Sequence, residues 1–205
     1  MHKEEIKKSH LLGVILAGGQ SRRMGGDDKF LLTLGKRRII DHIVDRLESQ
    51  VDRIILNSNL AELDITIDVV PDIPDFGLHA GPMIGLYTAL NYAKRHSYQK
   101  IVTVSADTPF IPDNFVEMLL HHSSASVVVA KSNGHLHPTH ALWDVSLLDD
   151  LEKALKKGER KMMSWLKTQK AVELEWSDNP DPFFNINTPE NLIEAEKLAG
   201  RFKRL

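Results

Sequence analysis

Residues 13 to 29 read GVILAGGQSRRMGGDDK, and no other stretch narrows the possible folds so far. Gly13-Val14-Ile15-Leu16-Ala17 is short, β-branched and bounded by glycines, with no polar face to leave in water. It therefore reads as a fully buried strand, central in a sheet. Gly18 and Gly19 follow at its end, where residues without a Cβ let backbone N–H groups come close to a phosphate. Arg22, Arg23 and Lys29 add side-chain donors, arginine as a planar fork and lysine as a mobile point charge. Strand, glycine turn and three cations together suit a polyphosphate; the plainer reading is a glycine turn decorated with solvated charges. Spacing excludes two common phosphate loops, since there is no GxxxxGK[ST] and Gly13, Gly18 and Gly19 do not make GxGxxG.

Strand and helix signals alternate along the rest of the chain. Ile39, Ile40, Ile43, Val44 and Leu47 recur at helical spacing, and so do Met83, Leu86, Tyr87, Leu90 and Ala93. Arg53–Asn57, Thr66–Pro71, Lys100–Ser105, Ser126–Ala130, Val172–Trp176 and Phe183–Asn187 read as strands. Leu136–Leu142 looks extended but contains Pro138, which points to an edge strand or one close to a ligand. Such alternation implies an α/β fold, a mostly parallel sheet covered by helices on both faces. At 205 residues and 42% hydrophobic content the chain suits one core. The expected organisation is a flexible extension over residues 1–10 and a single domain over 11–205. A formal charge of -2 provides no overall basic field for nucleic acid or anionic membrane, and no apolar run reaches membrane-spanning length. Without cysteine there is no disulfide, thiolate metal site or cysteine nucleophile, which fits a cytoplasmic setting.

Polar residues at the strand ends are the remaining candidates. Asp107 follows an apolar strand, where an oxygen ligand could bridge Mg²⁺ to phosphate; a carboxylate capping a turn before Pro109 is the alternative. Asn185 and Asn187 lie in FNINTPENL, where a carboxamide could complete a magnesium shell or simply cap the helix that starts at Pro189. Asn57 and Asp72 end the second and third strands. His135, His137 and His140 suggest a metal cluster, but in an extended segment the first two would share a face and His140 would point away. Lys36-Arg37-Arg38 reads as surface.

Leu16, Ala17, Gly18, Gly19, Arg23, Met24, Gly25, Asp28 and Lys29, as they stand in LAGGQSRRMGGDDK, resemble the signature of the molybdenum cofactor guanylyltransferases. The shorter core, LAGGxGxR, is shared with sugar-nucleotide pyrophosphorylases. SADTPFIP, HPTHALW and FNINTPENL are similar to further segments of the family in the same order, and GERK at Gly158–Lys161 resembles its GER(R/K) turn. A proline usually follows the Gly-Lys pair in the family, where this chain has Arg37. The resemblance implies a three-layer α/β/α, Rossmann-like nucleotidyltransferase fold and transfer of GMP from GTP to molybdenum-molybdopterin. It also implies contacts with other cofactor-biosynthesis proteins. A cytidylyltransferase for the same cofactor, a sugar-1-phosphate nucleotidyltransferase and a non-catalytic nucleotide binder stay open as alternatives. By the same resemblance Leu16, Ala17, Gly18, Gly19, Lys29, Asn57, Asp72 and Asp107 would meet the nucleotide, with Arg23, Lys29 and Asp107 acting in catalysis. Asp107 and Asn187 would hold Mg²⁺, and His137, Arg160, Lys161, Asn185 and Asn187 would face the second substrate. A histidine at position 137 can hydrogen-bond a pterin or a phosphate.

Overall fold

The computed structural model describes residues 10–17, 29–60, 62–76 and 81–200. Gly18, Gly19, Arg22 and Arg23 of the glycine-rich stretch, and residues 1–9 of the expected extension, lie outside the described residues. Strand β1 (Leu11–Leu16) is buried along its whole length and sits between two parallel neighbours, β4 (Arg53–Asn57) and β6 (Lys100–Ser105). Its side chains alternate between two cores, with Leu11 and Ile15 on one face and Leu12, Val14 and Leu16 on the other. Gly13 is required by close approach, because a Cβ there would stand 2.9 Å from the Val51 side chain.

The sheet has seven strands in the order β5-β4-β1-β6-β8-β7-β9, completed by β5 (Asp68–Val70), β7 (Val127–Ser132), β8 (His135–Asp144) and β9 (Val172–Trp176). Only β8 runs against its neighbours. Helices α1 (Ile39–Leu47), α3 (Phe115–Leu120) and α6 (Pro189–Ala199) bury apolar residues on one face. Helices α2 (Pro82–Arg95), α4 (Leu148–Lys156) and α5 (Met162–Leu166) cover the other, giving three layers. A two-stranded ribbon of β2 (Thr33–Leu34) and β3 (Arg37–Arg38) leads into α1. There Arg37 pairs with Asp45, and Arg38 with Asp41 at 2.8 Å, so the basic triplet fastens the ribbon to the helix.

Two expected elements differ. Leu136–Leu142 belongs to β8, an interior strand rather than an edge; a bulge opposite Val129/Ala130 takes up Pro138, Thr139 and His140, so the proline needs no ladder bond. Phe183–Asn187 is not a strand, although its Ile186 N–H donates to the Asp107 carbonyl at 2.9 Å. Among the described residues no helix is long and apolar enough to cross a membrane.

Candidate active site

The chain leaves β1 towards β4 and β5 on one side and returns to β6 on the other, so a crevice opens between β1 and β6 at their carboxyl ends, where open α/β sheets hold ligands. Leu16 marks its floor: its carbonyl accepts from Ala106 N–H, and Ala17 N–H donates to the Asn57 carbonyl, both at 3.0 Å. The strand ends are thus locked where the glycine stretch begins.

Asp107 stands two residues past β6. Burial raises its carboxyl above the usual range; the Ser105 hydroxyl, donating to Oδ1 at 2.6 Å, and the nearby Lys29 charge oppose that shift. Lys29 Nζ in turn donates to Asn187 Oδ1 at 2.9 Å, across 158 positions of sequence. Three remote segments therefore bring an ammonium, a carboxylate and a carboxamide to one place. Asn187 is committed to Lys29, while the helix cap itself belongs to Thr188, which accepts from Asn191 N–H. Asn185 is exposed between Phe183 and Asn187.

The β4 and β5 ends form one flank. Asn57 is buried, and its Nδ2 donates to the Val70 carbonyl at 3.2 Å and to Asp72 Oδ1 at 2.9 Å. Asn59 clamps Asp72 through two further bonds of 2.8 Å. Asn57 Oδ1 finds no hydrogen-bond partner among the described residues and lies over Gly85 of α2, where a Cβ would come within 2.4 Å of it. A glycine inside a helical pattern is the one trace of this arrangement in the sequence.

Histidines gather on the opposite flank. The β8 bulge turns His140 back, so its ring lies 6.0 Å from that of His137 rather than pointing away, and both pack on Phe183. His140 is fully buried, 2.6 Å from Thr108 Oγ1 and 3.4 Å from Ser105 N, the two residues that bracket Ala106-Asp107. Burial holds its pKa down at about 3, so it is neutral. His137 Nε2 is 2.7 Å from Ser132 Oγ. Further out, Glu159 accepts from the N–H groups of Arg160 and Lys161, and Arg160 Nη1 donates to the Leu155 and Glu159 carbonyls, closing the end of α4. That turn adjoins the start of α2, with the Arg160 carbonyl 3.9 Å from where a Gly81 Cβ would stand. No hydrogen bond joins Arg160 or Lys161 to Lys29, Asp107 or His137 among the described residues. Ser105, Ser132, Asn59 and Gly85, none of them a candidate from the sequence, and His140, weighed there only for a metal cluster, all act through a neighbour.

A single half-buried carboxylate with one oxygen held by a hydroxyl suits magnesium, which keeps several waters and is held by one or two carboxylates plus substrate phosphates.

The chain is 39% identical over 203 residues to a molybdenum cofactor guanylyltransferase of Nitrobacter hamburgensis, covering 92% of this chain and 94% of that one. It is likewise 39% identical over 209 residues to one from Rhizobium johnstonii, covering 96% and 97%. The crystal structure of molybdopterin-guanine dinucleotide biosynthesis protein A from Archaeoglobus fulgidus shares the fold, with a TM-score of 0.76 at 22% identity over 94% of this chain and 100% of that one. The model of the MobA-like NTP transferase domain matches residues 13–173, which takes in the glycine stretch, the Asp107 corner and the histidine flank, and the chain belongs to that family.

Proposed function

We propose that this protein transfers GMP from GTP to the terminal phosphate of molybdenum-molybdopterin, releasing pyrophosphate and forming the guanine dinucleotide. The observation that carries this reading is the meeting of Lys29, Asp107 and Asn187 at the strand-order switch, between a polar flank of Asn57 and Asp72 and a histidine flank. The full-length guanylyltransferase relatives supply the acceptor and the base.

No side-chain nucleophile is needed. A phosphate monoester has a second pKa near ~6 and is largely dianionic at neutral pH, so it attacks the α-phosphorus without a general base. The work of the site is to align two polyanions and offset their repulsion. Lys29, oriented by Asn187, provides positive charge at the crevice, and Arg23 with the backbone of Gly18 and Gly19 supplies further donors to the triphosphate. Asp107, oriented by Ser105, would hold Mg²⁺ with Asn187 close by; bound there, the ion would neutralise charge on the phosphate oxygens. Asn57 and Asp72 hold the base and ribose side, while His137, Asn185, Arg160 and Lys161 meet the acceptor.

The test is to mix the protein with Mg²⁺, molybdenum-loaded molybdopterin and each of the four nucleoside triphosphates, and to weigh the dinucleotide formed. A GMP adduct from GTP alone is expected. A CMP adduct would overturn the base, and no adduct would overturn the acceptor.

A further inference from the structure

Ser132 ends β7, is 2% exposed, and touches two groups at once. Its Oγ is 2.9 and 3.0 Å from the two oxygens of Asp181 and 2.7 Å from His137 Nε2. A hydroxyl has one proton, and an ionised carboxylate can only accept. The Ser132 proton therefore goes to Asp181, and the 2.7 Å contact requires Nε2–H of His137 to donate to Ser132 Oγ. Asp181 is itself fixed, accepting from Asn133 Nδ2 and from Phe183 N–H, each at 2.9 Å. Asn133 and Gly134, both at positive φ, form the tight turn between β7 and β8, so the carboxylate clamps the hairpin that carries the histidine.

The consequence falls on the other ring nitrogen. Burial lowers the His137 pKa; Asp181 and Glu175 of the β9 side oppose this, and His135 on its own strand adds to it, with neutral His140 beyond. In the neutral ring with Nε2 protonated, Nδ1 carries a lone pair and only accepts. β8 pairs with β6 up to Thr103↔Ala141, so His137 lies beyond the carboxyl edge of β6, on the crevice side of the sheet.

We propose that Ser132 and Asp181 are positioning residues that lock the His137 tautomer, so that His137 Nδ1 accepts a hydrogen bond from an N–H or O–H donor of the second substrate, such as the pterin edge, and not from its phosphate. The donor assignment rests on the acceptor named above; the tautomer lock does not.

Histidine labelled with ¹⁵N in the full chain reads the tautomer directly. At pH 7 the wild type is expected to show His137 with a protonated Nε2 and a bare Nδ1. Ser132→Ala is expected to mix the tautomers and raise the KM for molybdopterin about tenfold, with the KM for GTP and kcat unchanged. Asp181→Asn offers an N–H where the carboxylate only accepts; it is expected to turn the Ser132 proton towards His137 and move the ring proton to Nδ1. A wild-type spectrum with protonated Nδ1, or an unchanged acceptor KM in a Ser132→Ala protein that still binds GTP, would overturn the proposal. A wild type that makes no dinucleotide would overturn the acceptor and the donor assignment with it, while the spectra would still decide the lock.

Discussion

On the β5-β4-β1 side the crevice is lined by what parallel strands provide at their ends: backbone groups of Leu16 and Ala17, and short carboxamides and carboxylates at Asn57, Asn59 and Asp72 tied to one another. On the β8-β7-β9 side the strands run in both directions, a bulge and a tight hairpin interrupt them, and the polar groups are histidines braced by hydroxyls and packed against Phe183. The first flank suits a ligand met in one fixed way, along the edge of the sheet. The second is built from residues whose proton positions matter, and His137 and His140 are each held by a hydroxyl neighbour. Lys29, Asp107 and Asn187 stand where the two meet.

Changes at the meeting point should abolish the distinction. Lys29→Ala and Asp107→Ala are each expected to lower turnover by ~10²-fold or more with the fold retained, since the first removes positive charge that offsets repulsion between the substrates and the second removes the carboxylate that would hold Mg²⁺ there. Steady-state rates together with circular dichroism check this. Changes on one flank should spare the other. Gly85→Ala puts a methyl 2.4 Å from Asn57 Oδ1 and must push the carboxamide aside. The KM for GTP should rise while the acceptor KM stays put, with about 1–3 kcal/mol of stability lost in urea unfolding.

His140 tests the second flank without substrate. Its pKa falls from 6.5 to about 3 on folding, so the unfolded chain binds a proton there that the folded one does not. Stability from this group is complete above pH 6.5 and is lost as pH falls towards about 3. His140→Gln should flatten that acid limb, measured as unfolding free energy against pH. The smallest effect is expected away from both flanks: Thr188→Ala removes the α6 cap and should cost about 1 kcal/mol, with both KM values unchanged.

The same contrast explains what could be read from the chain alone. The apolar runs of β1, β4 and β6 make their burial and the polar residues that end them visible as pattern, whereas the roles expected of Asn57, Asp72 and Asp107 come from the family resemblance and not from position alone. Of the two readings that Pro138 suggests for β8, an edge strand or one close to a ligand, the first fails because a bulge absorbs the missing ladder bond, and such a bulge leaves no periodic mark. That bulge also reverses His140, so a face count along an ideal strand puts the ring on the wrong side. Phe183–Asn187 has strand-like residues but is held by one backbone bond to Asp107 and by its aromatic contacts. Asp181 and Ser132 lie 49 positions apart, and nothing local in either announces the pairing.

Labelled GTP tests most directly whether a nucleotidyl group passes from one flank to a phosphate on the other. With molybdenum-loaded molybdopterin and Mg²⁺, label in the α-phosphate should appear in the dinucleotide and label in the γ-phosphate in pyrophosphate. Transfer of the γ-label to the acceptor, or release of the α-label as free nucleotide with the acceptor unchanged, would contradict nucleotidyl transfer.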